Sequence, residues 1–164
     1  MKLIESSVEL LKQEPGMPGI NKMIELAGRT CYKSEANITE NSAEEFVKRM
    51  VNSRHMAMLE HGTVYLKLPP VIDKKTTLSH SFDYDKNPYS RIVFNGYDAD
   101  YVTTNLRVLQ ENGWLDDLKY LCEPTEFHER RITLKFITDR GVSHELVRHR
   151  VFSFAQESTR QWRH

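Results

Sequence analysis

Only two cysteines occur in this chain of 164 residues, Cys31 and Cys122, and their spacing is far from CxxC. That scarcity argues against a disulfide scaffold and against a cysteine-based zinc site, and no metal site is read elsewhere. Net charge is missing as well. The 23 lysines and arginines balance 23 acids, so no global field draws the protein towards nucleic acid or a membrane surface. No run approaches the roughly 18 apolar residues of a membrane span. Met1 to Leu11 carries scattered charges where a signal peptide has its apolar stretch. Repeats and low-complexity tracts are also lacking. These absences lead to the expectation of one cytoplasmic domain over 1–164, with neither a nucleic-acid nor a membrane partner.

What is present fits a globular core. The apolar fraction of 39% against 28% charged residues suits a folded chain rather than a disordered one. Pro18 to Cys31 has helical spacing through Ile20, Met23, Ile24 and Ala27, with Pro18 in the first turn. Asn41 to Ser53 reads as a second helix, with Ser42 and Glu45 as a capping box and Phe46, Val47, Met50 and Val51 as its stripe. Thr63 to Leu68 alternates as a strand, Val64, Leu66 and Leu68 sharing a face. Pro69 to Asn87 is polar and turn-rich, and 70–100 is expected to be a surface insertion. Thr103 to Leu121 is expected to be helical with an interruption at Asn112-Gly113. Arg131 to Thr138 alternates as another strand, which Gly141 ends. Val142 to Arg150 reads as a helix begun by Ser143, with Leu146 and Val147 turned inward. This order points to an α/β fold, with α+β open, in which a mixed sheet carries flanking helices.

Chemistry gathers at the end of the chain. From Arg140 onward there are five arginines and three histidines against Glu145 and Glu157. On a helix, His144 and Arg148 share a face, as do Glu145 and His149. Clustered like charges disfavour one another, and an anion among them relieves the repulsion. Ser153, Gln156, Glu157, Ser158, Thr159 and Arg160 then supply hydroxyls, an amide and a guanidinium able to wrap a phosphate. A solvated helix end is the plain alternative, because basic residues favour helix C-termini through the dipole alone.

Arg148-His149-Arg150, seven further residues and then Ser158 resemble the signature of the flavin-dependent thymidylate synthases (ThyX). Asp139 to Val147 ahead of the signature and Gln156 to Arg160 at its end also match the family. Upstream, Gly28-Arg29-Thr30-Cys31-Tyr32-Lys33-Ser34 and His55-Met56-Ala57-Met58-Leu59-Glu60-His61 are similar to its two N-terminal blocks. Tyr101-Val102-Thr103-Thr104-Asn105-Leu106-Arg107 is similar to a stretch found in one branch.

The resemblance implies a ThyX-like fold and a homotetramer with active sites between subunits. It implies synthesis of dTMP from dUMP, with methylenetetrahydrofolate as carbon donor and NADPH as reductant through FAD. A flavin supplies the redox chemistry, which leaves the protein to position and polarise. By position, His55, Arg148, His149, Arg150, Val151 and Gln156 are expected to lie against FAD. Glu145, Leu146, Val147, Arg148, Gln156, Glu157, Ser158, Thr159 and Arg160 are expected to line the dUMP site. Arg148 and Ser158 are the expected catalytic pair, Ser158 and Arg160 the phosphate ligands, and Glu60 an orienting group.

Other residues have plainer readings. His55 can be a helix C-cap and His61 a structural residue before a strand. Cys31 and Cys122 read as small buried residues, and Tyr32, Phe152 and Phe154 as core or interface packing. Two departures accompany the resemblance. Gln161 stands where the family commonly has Tyr, and the family's C-terminal half has no counterpart up to His164. That half carries a further arginine that activates the pyrimidine. The chain is therefore expected to be a truncated N-terminal portion, and a catalytically inactive remnant that keeps fold, oligomerisation or nucleotide binding is the alternative.

Overall fold

The alternating segment Thr63 to Leu68 forms a strand with those bounds, and its three apolar residues lie completely buried. The computed structural model describes residues 5–70, 80–96, 98–149 and 151–158. In chain order the regular elements are β1 (Ser7–Leu11), α1 (Gly16–Tyr32), α2 (Ser42–Asn52), β2 (Thr63–Leu68) and α3 (Ser81–Lys86). They continue with β3 (Arg91–Asn95), β4 (Ala99–Asn105), α4 (Leu106–Asn112), β5 (Thr133–Ile137) and α5 (Arg140–Leu146). Three 3-10 turns, Glu35–Asn37, Met56–His61 and Leu115–Tyr120, fill in between them. The architecture is mixed α and β, with two antiparallel sheets and flanking helices. One sheet has the order β2-β4-β3, and the other consists of β1 and β5 alone.

The core lies between the larger sheet and the first two helices. Ile20 and Ile24 of α1 and Phe46, Val47 and Met50 of α2 join Val64, Leu66 and Leu68 of β2 and Leu106, Val108 and Leu109 of α4. Gly28 lets these layers close, because a Cβ there would stand 2.5 Å from the ring of Phe46. Within the same layer Arg29 donates to Glu25 at 2.6 Å, an ion pair almost completely removed from water. Ser42 donates to the other Glu25 oxygen at 2.9 Å, and the Arg29 guanidinium stands 5.1 Å from the centre of the Phe46 ring.

Several expectations need correcting. Ser42 forms no capping box. Asn41 is the cap residue, and the Ser42 hydroxyl instead accepts from the Thr39 amide and turns to Glu25. Thr103 to Asn105 are strand rather than helix, since β4 pairs on both edges and is buried along all seven residues. Asn105 then caps α4 by accepting from the Val108 amide at 3.0 Å. The interruption at Asn112-Gly113 does occur, with Gly113 in the left-handed conformation at φ 74°.

The 70–100 stretch is not simply a surface insertion. Residues 71–79 lie outside the described residues, but Tyr84 of α3 is fully buried and donates to the buried Asp117 at 3.0 Å. Burial and the Asp117 carboxylate hold the Tyr84 phenol well above its ordinary range. β3 and the start of β4 complete the sheet from the same stretch. Among the described residues no helix is long and apolar enough to cross a membrane.

Candidate functional site

Helix α5 begins earlier than its periodicity indicates, and the reason is its cap. Asp139, not Ser143, takes the cap position and accepts from the amides of Gly141 (2.7 Å) and Val142 (3.1 Å). Gly141 therefore sits inside the first turn instead of ending a strand. The helix finishes at Leu146, which leaves Arg148 and His149 on the turn beyond it. The expected pairing of faces is replaced by an exposed i,i+3 ion pair between Arg148 and Glu145 at 3.0 Å. His144 instead accepts from Arg140 at 3.3 Å. Leu146 is half-buried and Val147 is exposed, so neither enters the core as expected.

After His149 the chain runs as a strap without regular structure through residues 153–158, and its conformation is set by bonds to distant elements. Ser153 donates to Glu60 Oε2 at 2.5 Å, across 93 residues of sequence. Gln156 Nε2 donates to Ser143 Oγ at 2.9 Å. Glu157 pairs with Lys33, and the Ser158 amide donates to the Cys31 carbonyl at 3.0 Å. Through these bonds the strap crosses the end of α1 and the Met56–His61 turn. The Cys31 thiol, 3.9 Å from Met58 Sδ, ties those two supports together.

Arg107, at the start of α4, adds the third support. Its Nη1 donates to Glu60 Oε1 at 2.5 Å and its Nε to Glu111 at 2.8 Å. Glu60 thus links the core to the strap through its two oxygens. Burial lowers the pKa of the neighbouring His61, while Glu60 and the Phe154 carbonyl oppose that shift. Held below its ordinary value, this half-buried imidazole is neutral at pH 7. Burial also raises the pKa of the Cys31 thiol, which keeps it protonated and poorly nucleophilic.

The expected site residues fall into three groups. Gln156, Glu157 and Ser158 are brought onto the supports, with Glu145, Leu146, Val147 and Arg148 immediately before the strap. His149 and Val151 are exposed on the turn, and Val151 is 86% exposed. His55 is exposed at the start of the 3-10 turn, where its amide donates to Met50 O at 2.9 Å; the helix C-cap is Ser53. Arg150, Thr159 and Arg160 lie outside the described residues. Phe152 (64% exposed), Phe154 and Tyr32 are on the surface of this chain rather than in its core.

Sequence reasoning gave Lys33, Ser143 and the Cys31 carbonyl no part in holding the strap. Lys33 and Cys31 do lie inside a block singled out for other reasons. No local signal announces a bond spanning 127 residues, as between Ser158 and Cys31. Arg107 was visible only as the last residue of its block.

The arrangement offers a turn carrying the Arg148 guanidinium and the His149 imidazole, beside a strap rich in hydroxyl and amide groups and bordered by exposed apolar side chains. Guanidinium and hydroxyl donors suit phosphate, and the apolar border suits a flat ring. Compared with protein-family profiles, with curated proteins and with solved structures, the chain matches none of them.

Proposed function

We propose that this chain is the N-terminal portion of a flavin-dependent thymidylate synthase. In this reading the strap and the turn before it bind dUMP against FAD, for methyl transfer from methylenetetrahydrofolate with NADPH as reductant. One observation carries the reading. The segments that resemble the family are dispersed over 130 residues of sequence, yet they meet at one place. Cys31 and Lys33 of the first block, Glu60 of the second, Arg107 of the third and Ser153 to Ser158 of the signature are joined by direct bonds. Segments serving only unrelated local packing have no reason to converge. The support is this convergence together with the motif, and no comparison adds to it.

Within that reading the chain's own groups have distinct tasks. Arg148, exposed and paired with the exposed Glu145, exchanges a weak surface partner for a ligand anion at little cost. Ser158 lies at the far end of the strap, where its half-buried side chain faces the nucleotide phosphate. His149 and Val151 meet the flavin, which supplies the hydride chemistry when bound. The active unit in this reading is a homotetramer in which a neighbouring subunit covers the apolar border.

Replacing Arg148 by alanine removes a charge-assisted contact, and the expected result is dUMP affinity weaker by on the order of tenfold. Ser158→Ala is expected to act in the same direction. The measurement is dUMP binding to the FAD-treated chain by calorimetry. Wild-type affinity in both variants would rule out the assignment of the strap. A stable chain with no affinity for FAD or dUMP would favour an inactive remnant instead.

A further inference from the structure

Glu60 is fixed from two sides. One oxygen accepts from Arg107, which Glu111 braces in turn, and the other accepts from Ser153. Arg107 stands on α4 beside the buried Leu106 and Val108, so its anchorage belongs to the core. Among the described residues the strap belongs to no strand pairing, and bonds to distant elements set its course. Among those given above, the Ser153 bond ends on a carboxylate already held by the core. The others end on a lysine side chain, a serine hydroxyl and a backbone carbonyl. The Lys33–Glu157 ion pair is charged on both sides but joins two partly exposed side chains. The Ser153 bond, by contrast, ends on a carboxylate that Arg107 already holds, so this contact ties the strap's path most directly to the core.

We infer that Glu60, braced by Arg107, is a positioning residue. It fixes the Ser153 corner so that His149 on one side and Gln156 to Ser158 on the other are held in register before any ligand arrives. The consequence for ligands rests on the reading of the strap as a flavin and nucleotide site, whereas the consequence for the strap itself does not. Preorganisation of this kind improves binding by removing the ordering cost from the binding step.

Hydrogen–deuterium exchange of the full chain, read over amides 151–158, tests the inference. Glu60→Gln and Ser153→Ala are each expected to speed strap exchange by about tenfold while β2 and β4 exchange as in the wild type. Ser153→Thr, which keeps the hydroxyl, is expected to restore the slow rate, and the double variant to exchange no faster than either single one. FAD, titrated into the same proteins, is expected to bind about tenfold more weakly to Ser153→Ala but normally to Ser153→Thr. Should Glu60→Gln unfold the chain, the two variants of the exposed Ser153 carry the test alone. Wild-type exchange in Ser153→Ala, or equal exchange in the Ala and Thr variants, overturns the inference. If exchange responds as expected but not even the wild type takes up FAD, the brace stands and the flavin reading fails.

Discussion

In the three-stranded sheet, Val64, Leu66 and Leu68 of β2 lie beneath α1 and α2, and no water reaches them. In the two-stranded sheet, Val8 and Leu10 of β1 oppose Phe136 and Leu134 of β5, and all four remain exposed. Both regions obey the same local rule. Apolar residues alternate with polar ones, pair across antiparallel strands and gather on one face. The difference lies in the next level, where a second layer covers one apolar face and leaves the other open. Alternation therefore specifies a strand and its inward-capable side, while burial depends on what arrives from elsewhere.

A similar contrast separates two ion pairs. Arg29 and Glu25 are paired inside the core, whereas Arg148 and Glu145 are paired on the surface. Glu25→Ala strands a buried guanidinium and is expected to cost about 3–5 kcal/mol. Glu145→Ala is expected to cost less than about 1 kcal/mol. Urea denaturation of both variants measures the gap. Equal losses would mean that the surface pair is covered in solution and that the two environments are less different than they look.

The two sheets are separated in the same way. Leu66→Ala is expected to destabilise the chain by about 2–5 kcal/mol through lost burial and a residual cavity. Leu134 is 41% exposed, so the same change there is expected to cost under about 1 kcal/mol. A loss at Leu134 approaching that at Leu66 would break the comparison by showing a covered β1–β5 face.

The smallest effect concerns pH. His61 beside the strap and His128 against the larger sheet are both held below the ordinary imidazole pKa, mainly by burial. Such a group binds fewer protons in the fold than in the unfolded chain. Its contribution to stability is complete above the unfolded value of about 6.5 and is lost as pH falls through and below it. The urea midpoint is expected to drop between pH 7.5 and 5.5, with a shallower drop in His61→Gln. A flat profile in the wild type would show that water reaches both rings.

Much of this was legible along the chain, and the exceptions share causes. β2 could be read because one of its faces is polar. β4 could not, because Asp100, Thr103, Thr104 and Asn105 look like loop or helix residues until partners on both sides bury them. Thr104, for example, shares a hydrogen bond at 2.8 Å with Ser90, just ahead of the neighbouring strand β3. Asp139 capped α5 in place of Ser143 because its carboxylate reached two amides at once. The chemical character of 148–160 was visible in its residue types, whereas its supports were not, since the bonds to Glu60, Lys33 and Cys31 that hold the strap join residues far apart in sequence. Glu60 and Arg107 each stood in a block singled out along the chain, whereas the bond between them, across 47 residues, was not legible there.

The central claim is that the strap and the turn before it form the meeting place of a nucleotide and a flavin. Its most direct measurement is the visible absorption spectrum of the chain after FAD loading and gel filtration, followed by titration with dUMP. The account predicts that the flavin stays with the protein and that its spectrum shifts saturably as dUMP fills the adjoining site. A chain that remains folded yet emerges without flavin, or holds flavin whose spectrum dUMP leaves unchanged, would contradict it.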